Sequence, residues 1–183
     1  ACEELPDCDD DGITDCDELA QGAADCDSNQ IPDVCEPGAG VPNDLQEDAI
    51  EIFTGTTLGN TECAGQEDTW LCEGNFFTGD GPDIWYVFTI SESSTVSMTT
   101  CDSDYDTDLS IHTPGGTILF CDGDSGDDDA TQGCVIYASE LNVSLEAGTY
   151  YVRVGGYNGA VGNVSLDVLI TNGTDCNGNG VSD

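Results

Sequence analysis

The sequence predicts an all-β fold: an antiparallel β-sandwich with helix-poor, disulfide-rich, calcium-binding loops at the N- and C-termini. Three observations lead to this class. Between about residues 40 and 171, short runs of alternating apolar and polar residues are separated by glycine-rich turns, as in half-buried strands. The chain has 11 cysteines in 183 residues. It also has 38 acidic residues against one basic residue, Arg153, for a formal net charge of -37.

This charge excludes some partners and requires others. A chain this acidic repels nucleic acid and anionic membrane surfaces. Because almost no lysine or arginine is present to pair with the carboxylates, a compact chain needs cations from solution. Calcium takes about six to eight oxygen ligands, which carboxylates supply. We therefore expect calcium as the cofactor, and neither nucleic-acid binding nor membrane insertion.

The cysteines indicate an oxidising compartment, so that the protein is secreted or displayed at a cell surface. Zinc binding is the competing use, but no CxxC pair occurs and the single histidine, His112, lies in an unrelated segment. No signal peptide and no apolar run of membrane-spanning length is visible. We therefore expect a mature chain or an excised fragment.

The cysteine count is odd, so at least one cysteine is expected to be free or to pair outside the chain. In the middle region the nearest partners along the sequence predict the pairs Cys63–Cys72 and Cys121–Cys134. Cys101 is then left over. The connectivity of the terminal cysteines stays open.

Residues 1–39 contain two candidate calcium loops. The first, DCDDDGITDCDE (7–18), fits the pattern D-x-[DN]-x-[DN]-G-x5-E in full. In such a loop alternate carboxylates converge, the glycine permits a sharp turn, the next residue offers its carbonyl, and a final glutamate closes the site with two oxygens. The predicted ligands are Asp7, Asp9, Asp11, the Ile13 carbonyl, Asp15 (through water) and Glu18.

The second loop, DCDSNQIPDVCE (25–36), repeats these positions with Gln30 in place of the glycine. The turn costs more there, because Gln30 has a side chain. Only ELAQGAA (18–24) can form even two helical turns between the loops, so metal and disulfides are expected to fold this region. The predicted ligands are Asp25, Asp27, Asn29, the Ile31 carbonyl, Asp33 and Glu36.

Both loops resemble thrombospondin type 3 repeats and, more loosely, dockerin loops, over about 40 residues. In those families the metal is structural and the repeats form a wrapped, calcium-dependent stalk. The resemblance therefore implies a structural role for calcium.

The last residues, DCNGNGVSD (175–183), read like the first part of a third loop. Residues 172–183 would form a half site, which residues 1–3 of a following copy complete. A head-to-tail contact that does not close generates a filament. We therefore expect copies of the chain as partners, either as separate subunits or within one continuous polypeptide. The predicted ligands at this junction are Asp175, Asn177, Asn179, the Val181 carbonyl, Asp183 and the neighbour's Glu3.

Residues 40–171 form the predicted sandwich domain. The clearest strands are DIWYVFTI (83–90), STVSMTT (94–100), TYYVRVGG (149–156) and NVSLDVLI (163–170). At about 25 cal/mol per Å² of buried apolar surface, such a core is expected to be self-sufficient. The residues predicted to face inward are Ile84, Tyr86, Phe88, Ile90, Val96, Met98, Tyr150, Val152, Val154, Val164, Leu166, Val168 and Ile170.

These strands, together with TVSMTTCDSDYDTDLSIHTP (95–114) and ILFCDGDSGDD (118–128), resemble the bacterial pre-peptidase C-terminal domain over roughly residues 42–171. The resemblance implies a jelly-roll sandwich of eight or nine strands, found as a non-catalytic accessory module on secreted proteins. Some of these domains resemble carbohydrate-binding modules in fold, so glycan binding enters by analogy only.

Two acidic clusters in the domain, DSDYDTD (102–108) and CDGDSGDDD (121–129), predict a further calcium site. We expect them to flank neighbouring strands and to meet at one edge, where massed like charges favour a bound cation. A solvated acidic rim is the alternative. The best candidate ligands are Asp106, Asp108, Asp122 and Asp124.

No catalytic constellation stands out, and we predict that the protein is not an enzyme. No serine lies in a G-x-S-x-G motif. Acidic residues are so abundant that a carboxylate pair for glycoside cleavage carries no information. His112 is expected to be structural or exposed, Trp85 to pack in the core, and Arg153 to stack on aromatics or pair with carboxylates.

Three sequons, at Asn142, Asn163 and Asn172, are candidate glycosylation sites, and chance is an equally good explanation for each. Asn142 also has Glu140 two residues before it, as in the extended bacterial sequon.

The leading functional prediction is a calcium-stabilised structural repeat unit of a secreted head-to-tail filament or surface fibre. The alternative is an accessory carbohydrate-binding module of a secreted hydrolase, with polysaccharide as its partner. A hydrolase in its own right is a third hypothesis.

Overall fold

Nine β-strands and one short α-helix make up most of the regular structure in the described part of the chain. The computed structural model describes residues 12–23, 25, 30–32, 35, 41–65, 81–125, 134 and 137–172. No helix among these residues is both long enough and apolar enough to cross a membrane. The elements are α1 (Asp15–Gln21), β1 (Ile50–Glu51), β2 (Gly55–Asn60), β3 (Ile84–Ile90), β4 (Ser94–Thr99), β5 (Thr107–His112), β6 (Ile118–Asp122), β7 (Glu140–Leu145), β8 (Gly148–Gly156) and β9 (Asn163–Asn172), with short 3₁₀ turns at Gln46–Asp48 and Tyr157–Gly159.

The strands form two sheets, which confirms the predicted sandwich. One sheet has five strands in the order β1-β3-β8-β5-β6, and the other has four in the order β2-β9-β4-β7. Neighbouring strands are antiparallel except for β1, which runs parallel to β3. The prediction of a purely antiparallel arrangement was therefore wrong at this edge. With two residues, β1 is too short to show a period-two pattern.

The hydrophobic core is built from alternate residues of the strands, as the sequence predicts. On β3, Ile84, Tyr86 and Phe88 are at most 1% exposed. Tyr150 and Ile170 are only partly buried and pack against the core cluster. The other predicted inward residues are buried: Ile90, Val96, Met98, Val152, Val154, Val164, Leu166 and Val168.

A polar layer is buried on the other face of the five-stranded sheet, which the sequence pattern does not predict. Trp85 pairs with Arg153, and Arg153 pairs with Ser110, so these side chains share one face. All three are at most 1% exposed. The side-chain amide of Asn43 donates to the carbonyl of Trp85 at 2.9 Å, and the backbone N–H of Trp85 donates to the carbonyl of Asn43 at 2.8 Å. Both faces of β3 are therefore covered at this point.

A disulfide joins Cys101 to Cys134, with 4.6 Å between their Cα atoms. The predicted Cys121–Cys134 pair, which left Cys101 over, was therefore wrong. Cys101 follows β4 and Cys134 precedes β7, and these two strands are hydrogen-bonded neighbours. Strand pairing brings the two cysteines together across a sequence separation of 33 residues. Cys63 also takes part in a disulfide, and so does Cys121.

Candidate metal centre

The described parts of the two acidic clusters, residues 102–108 and 121–125, lie at one end of the strand pair β5–β6. Leu109 of β5 pairs with Asp122 of β6 in an antiparallel ladder. Asp106 and Asp108, at the start of β5, therefore lie near Asp122 and Asp124, at the end of β6. Strand pairing thus brings the four candidate aspartates to the same end of the sheet, as expected from the sequence.

Asp106 and Asp124 line a surface cleft of about 370 Å³, together with Tyr137 and Tyr157. Burial, and next the negative charge of Asp124, raise the pKa of Asp106 from 3.8 to about 6. One carboxylate oxygen of Asp106 is buried without a hydrogen-bond partner. A cation bound between the two carboxylates would relieve both the repulsion and the loss of solvation.

The tyrosines are held beside Asp106 by backbone contacts. The N–H of Tyr157 donates to the carbonyl of Asp106 at 3.1 Å, and the N–H of Thr107 donates to the carbonyl of Tyr137 at 3.3 Å. Tyr137 is 50% exposed and Tyr157 is 38% exposed. Sequence reasoning missed both residues, because they are distant from the aspartates along the chain. Tyr157 approaches because β5 pairs with β8, which places Thr107 opposite Gly156, the residue before Tyr157.

Asp108 lies deeper than Asp106 and is 1% exposed. A Cβ atom at position 123 would lie 3.2 Å from its Oδ1, so the glycine found there leaves room for the carboxylate. Asp108 therefore contacts the loop that follows β6.

Asp122 has a structural role. Its Oδ2 accepts the N–H of Ser125 at 3.0 Å and the N–H of Glu140 at 2.9 Å. The carboxylate thus connects the end of β6 to the start of β7. Because one of its oxygens is already engaged, Asp122 is a weaker candidate ligand than Asp106 or Asp124.

The chemistry of these carboxylates fits calcium, a hard cation that prefers oxygen ligands. In the described ranges, however, the four aspartates do not bring three ligand atoms within 4.8 Å of one another. Calcium at this end of β5 and β6 would therefore need water or further protein oxygens to complete its coordination.

A tighter group is formed by Asp15, Glu18 and Cys35, whose potential ligand atoms all lie within 4.8 Å of one another. Helix α1 places Asp15 and Glu18 three residues apart, on one face. Cys35 is disulfide-bonded, so its sulfur is not a thiolate and does not fit as a metal ligand. The two carboxylates do fit calcium, and they are the last two ligands predicted for the first loop.

Both N-terminal loops take a left-handed conformation at the predicted turn position. The φ angle is 92° at Gly12 and 76° at Gln30. The N–H of Gln30 donates to Oδ2 of Asp25 at 3.1 Å. Gln30 therefore adopts the left-handed backbone conformation that the loop pattern predicts at this position, which costs more for a residue with a side chain than for glycine. Ile13 and Ile31, the predicted carbonyl donors, directly follow these turn residues.

The remaining predicted loop ligands lie outside the described residues, as does the half loop apart from Asn172. They are Glu3, Asp7, Asp9, Asp11, Asp27, Asn29, Asp33, Glu36, Asp175, Asn177, Asn179, Val181 and Asp183.

A buried histidine lies next to a serine, away from the cleft. The Oγ of Ser110 is 2.7 Å from Nε2 of His112, and both residues are fully buried. Burial lowers the pKa of His112 to about 4. Its ring packs edge-on against Trp85, with 4.9 Å between the ring centroids. His112 is therefore neutral at pH 7 and packs inside the domain against Trp85.

The middle of the chain matches a known domain family. Residues 84–156 match the family model described as the bacterial pre-peptidase C-terminal domain, which confirms this part of the predicted resemblance. Among solved structures, the chain is similar to the pre-peptidase C-terminal domain of a collagenase from Bacillus anthracis. The identity is 15%, the match covers 66% of this chain and 94% of that chain, and the TM-score is 0.44. No curated protein matches the chain.

Residues 84–156 are thus similar to the pre-peptidase C-terminal domain family. Domains of this family are non-catalytic parts of proteases and occur in secreted bacterial proteins.

Proposed function

We propose that this chain is a calcium-stabilised, non-catalytic structural module of a secreted protein, with a jelly-roll sandwich as its rigid part. Calcium would act as a counterion that holds acidic loops together. Asp106 and Asp124 would supply ligands at one site. Asp15 and Glu18 would supply ligands at another.

The observation that carries the proposal is the lack of an internal counter-charge for the cleft. The one basic side chain of the sequence, Arg153, is 1% exposed and donates to Asp83 at 2.5 Å. The one histidine, His112, is buried, and its pKa of about 4 keeps it neutral. Neither side chain is available to neutralise Asp106 and Asp124, so the cation has to come from solution.

The test is thermal unfolding of the whole chain after treatment with EDTA and again after addition of calcium. Calcium is expected to raise the melting temperature, because it binds the folded state in preference to the unfolded chain. The double variant D106N/D124N is expected to show a smaller increase in melting temperature with calcium than the wild type. The double variant D15N/E18Q is also expected to show a smaller increase, because it removes ligands of the other site. D102N removes an exposed carboxylate outside both groups and serves as the matched control.

If calcium raises the melting temperature of all four proteins equally, the assigned ligands are wrong. If it leaves the wild-type protein unchanged, the proposal of calcium as cofactor fails.

Head-to-tail assembly into a filament stays a proposal drawn from the loop pattern, and the residues of that junction lie outside the described ranges. Electron microscopy and sedimentation of the secreted material with calcium and with EDTA test it. Beaded fibres that loosen in EDTA support the proposal. Monomers under both conditions contradict it.

A second candidate function is carbohydrate binding, which the half-exposed Tyr137 and Tyr157 favour. Two aromatic rings beside hydrogen-bonding carboxylates form a surface on which a sugar can stack. Affinity electrophoresis in neutral polysaccharides tests this function. Retardation that disappears in Y137A/Y157A, but not in F120A, supports it, and equal mobility in all gels contradicts it. Phe120 is 37% exposed and does not line the cleft, so F120A is the control.

A further inference from the structure

The structure distinguishes the three sequons by the contacts of their asparagine side chains. We propose that Asn142 is an attachment site for an N-linked glycan, and that Asn163 and Asn172 are not. This inference is independent of calcium binding.

The side-chain nitrogens of Asn163 and Asn172 are already engaged. Nδ2 of Asn163 donates to a carboxylate oxygen of Asp104 at 2.8 Å, and the Oδ1 of Asn163 accepts from Asn60 at 3.0 Å. Nδ2 of Asn172 donates to Glu92 at 2.6 Å. Nδ2 is the atom to which a glycan is attached, so a sugar at either position would disturb a hydrogen bond to a carboxylate.

Asn142 differs from both. It is exposed on β7, and its side chain makes no hydrogen bond with any described residue. Its neighbours along the strand, Leu141 and Val143, pack in or against the core. Side chains alternate along a strand, so Asn142 points away from the core into solvent.

The surface around Asn142 has room for a sugar. In the sheet, Asn142 pairs with Ser97 of β4, and Ser97 pairs with Leu169 of β9. Asn142, Ser97 and Leu169 therefore lie side by side on three neighbouring strands. The side chain of Ser97 is small, and Leu169 is 55% exposed. The apolar face of a first sugar residue can cover this leucine.

The local sequence fits the bacterial acceptor pattern, with Glu140 two residues before Asn142 and Ser144 two residues after it. The donor is an oligosaccharide linked through pyrophosphate to a lipid. Nδ2 of Asn142 forms a bond to C1 of the sugar and loses one proton. The bond between C1 and the pyrophosphate oxygen breaks, and the lipid pyrophosphate leaves with the bonding electrons.

A glycan here would also protect the fold. Strand β7 is an edge strand of the four-stranded sheet, because it pairs only with β4 among the described strands. Exposed edge strands are templates for pairing with other chains. A sugar in the middle of β7 blocks such pairing sterically.

The test is export of the whole chain to the periplasm of a bacterium that carries an oligosaccharyltransferase and its lipid-linked oligosaccharide. Intact-mass spectrometry and glycopeptide mapping are the measurements. One glycan per chain is expected, attached to Asn142. The N142Q variant is expected to carry none, whereas N163Q and N172Q keep it. E140Q, which changes the acidic position of the acceptor pattern, is expected to lower its occupancy several-fold.

Two results would overturn the proposal. One is an unmodified wild-type chain while a free peptide with the sequence of residues 138–146 is glycosylated by the same enzyme. The other is a glycan on Asn163 or Asn172 at occupancy equal to that of Asn142. Circular dichroism of each variant confirms that it is folded before its glycan is counted.

Discussion

Arg153 donates a hydrogen bond to Asp83 across 2.5 Å, and the two side chains are 1% and 0% exposed. This pair takes the only basic side chain of the sequence out of solvent. Burial raises the pKa of Asp83 despite the hydrogen bond and the charge of Arg153. The pair therefore joins β8 to the residue that precedes β3, at a cost in desolvation. It leaves the acidic surface without an internal counterion.

The first prediction concerns this pair. D83N is expected to destabilise the fold by about 3 to 5 kcal/mol, because it leaves the guanidinium buried without its counter-charge. Urea unfolding gives the free energy of unfolding. The double variant D83L/R153M is expected to lose less than D83N alone, since it removes both charges of the pair and leaves neither one buried without the other. A larger loss in the double variant would show that the pair itself is a strong stabilising contact.

The second prediction concerns acid stability. His112 has a pKa of about 4 in the folded chain against 6.5 in the unfolded chain. Between these two pH values the unfolded chain binds a proton on His112 that the folded chain does not bind. Stability from this residue is therefore present above pH 6.5 and is lost as the pH falls to about 4. The loss is roughly 3 kcal/mol at most.

Asp106 acts in the opposite direction. Its pKa is raised from 3.8 to about 6, so without calcium it favours the folded state at low pH and loses this contribution as the pH rises through 6. The pH dependence of unfolding is therefore best measured in D106N with and without H112N. An unchanged acid slope after H112N would contradict the assignment to His112.

The third prediction is that calcium binding weakens in acid. Protons compete with calcium for Asp106, whose pKa is about 6. Calorimetric titration is expected to give a lower calcium affinity at pH 5 than at pH 7.5. The difference is expected to shrink in D106N, which cannot take up this proton. A wild-type affinity that does not change over this range would argue against Asp106 as a ligand.

The fourth prediction concerns the Cys101–Cys134 disulfide. The variant C101S/C134S is expected to lose about 2 to 4 kcal/mol of stability, because the bond closes a long loop. Compared with the wild type, C134S alone is expected to expose one additional thiol, on Cys101, to a labelling reagent under non-reducing conditions. Peptide mapping that places the label on Cys121 instead would contradict the pairing.

The fifth prediction concerns Gly156, at the end of β8. A Cβ atom there would lie 1.9 Å from the carbonyl oxygen of Ala160 and 3.0 Å from the ring of Tyr105. Because backbone has to move, G156A is expected to cost more than about 2 kcal/mol in the free energy of unfolding. At Gly115 the nearest atom to an added Cβ is 3.8 Å away, so G115A is the matched control with little expected change.

The sequence by itself determined strands β3, β4, β8 and β9 and the side of each that faces the core. Ile84, Tyr86 and Phe88 illustrate this, because a period of two is a local property of the chain and needs no knowledge of the partner strand. The turn positions Gly12 and Gln30 are local in the same sense. The two acidic clusters could also be recognised from the sequence, because each cluster lies within one short segment of the chain.

Only the tertiary structure decided the features that depend on strand pairing. Pairing of β4 with β7 placed Cys101 beside Cys134, and pairing of β5 with β8 placed Tyr157 beside Asp106. That the amide of Asn142 makes no hydrogen bond with a described residue is likewise decided by neighbours that the sequence does not specify. Contacts between distant segments depend on the order and register of strands within a sheet, and the alternation within any one strand carries no information about either.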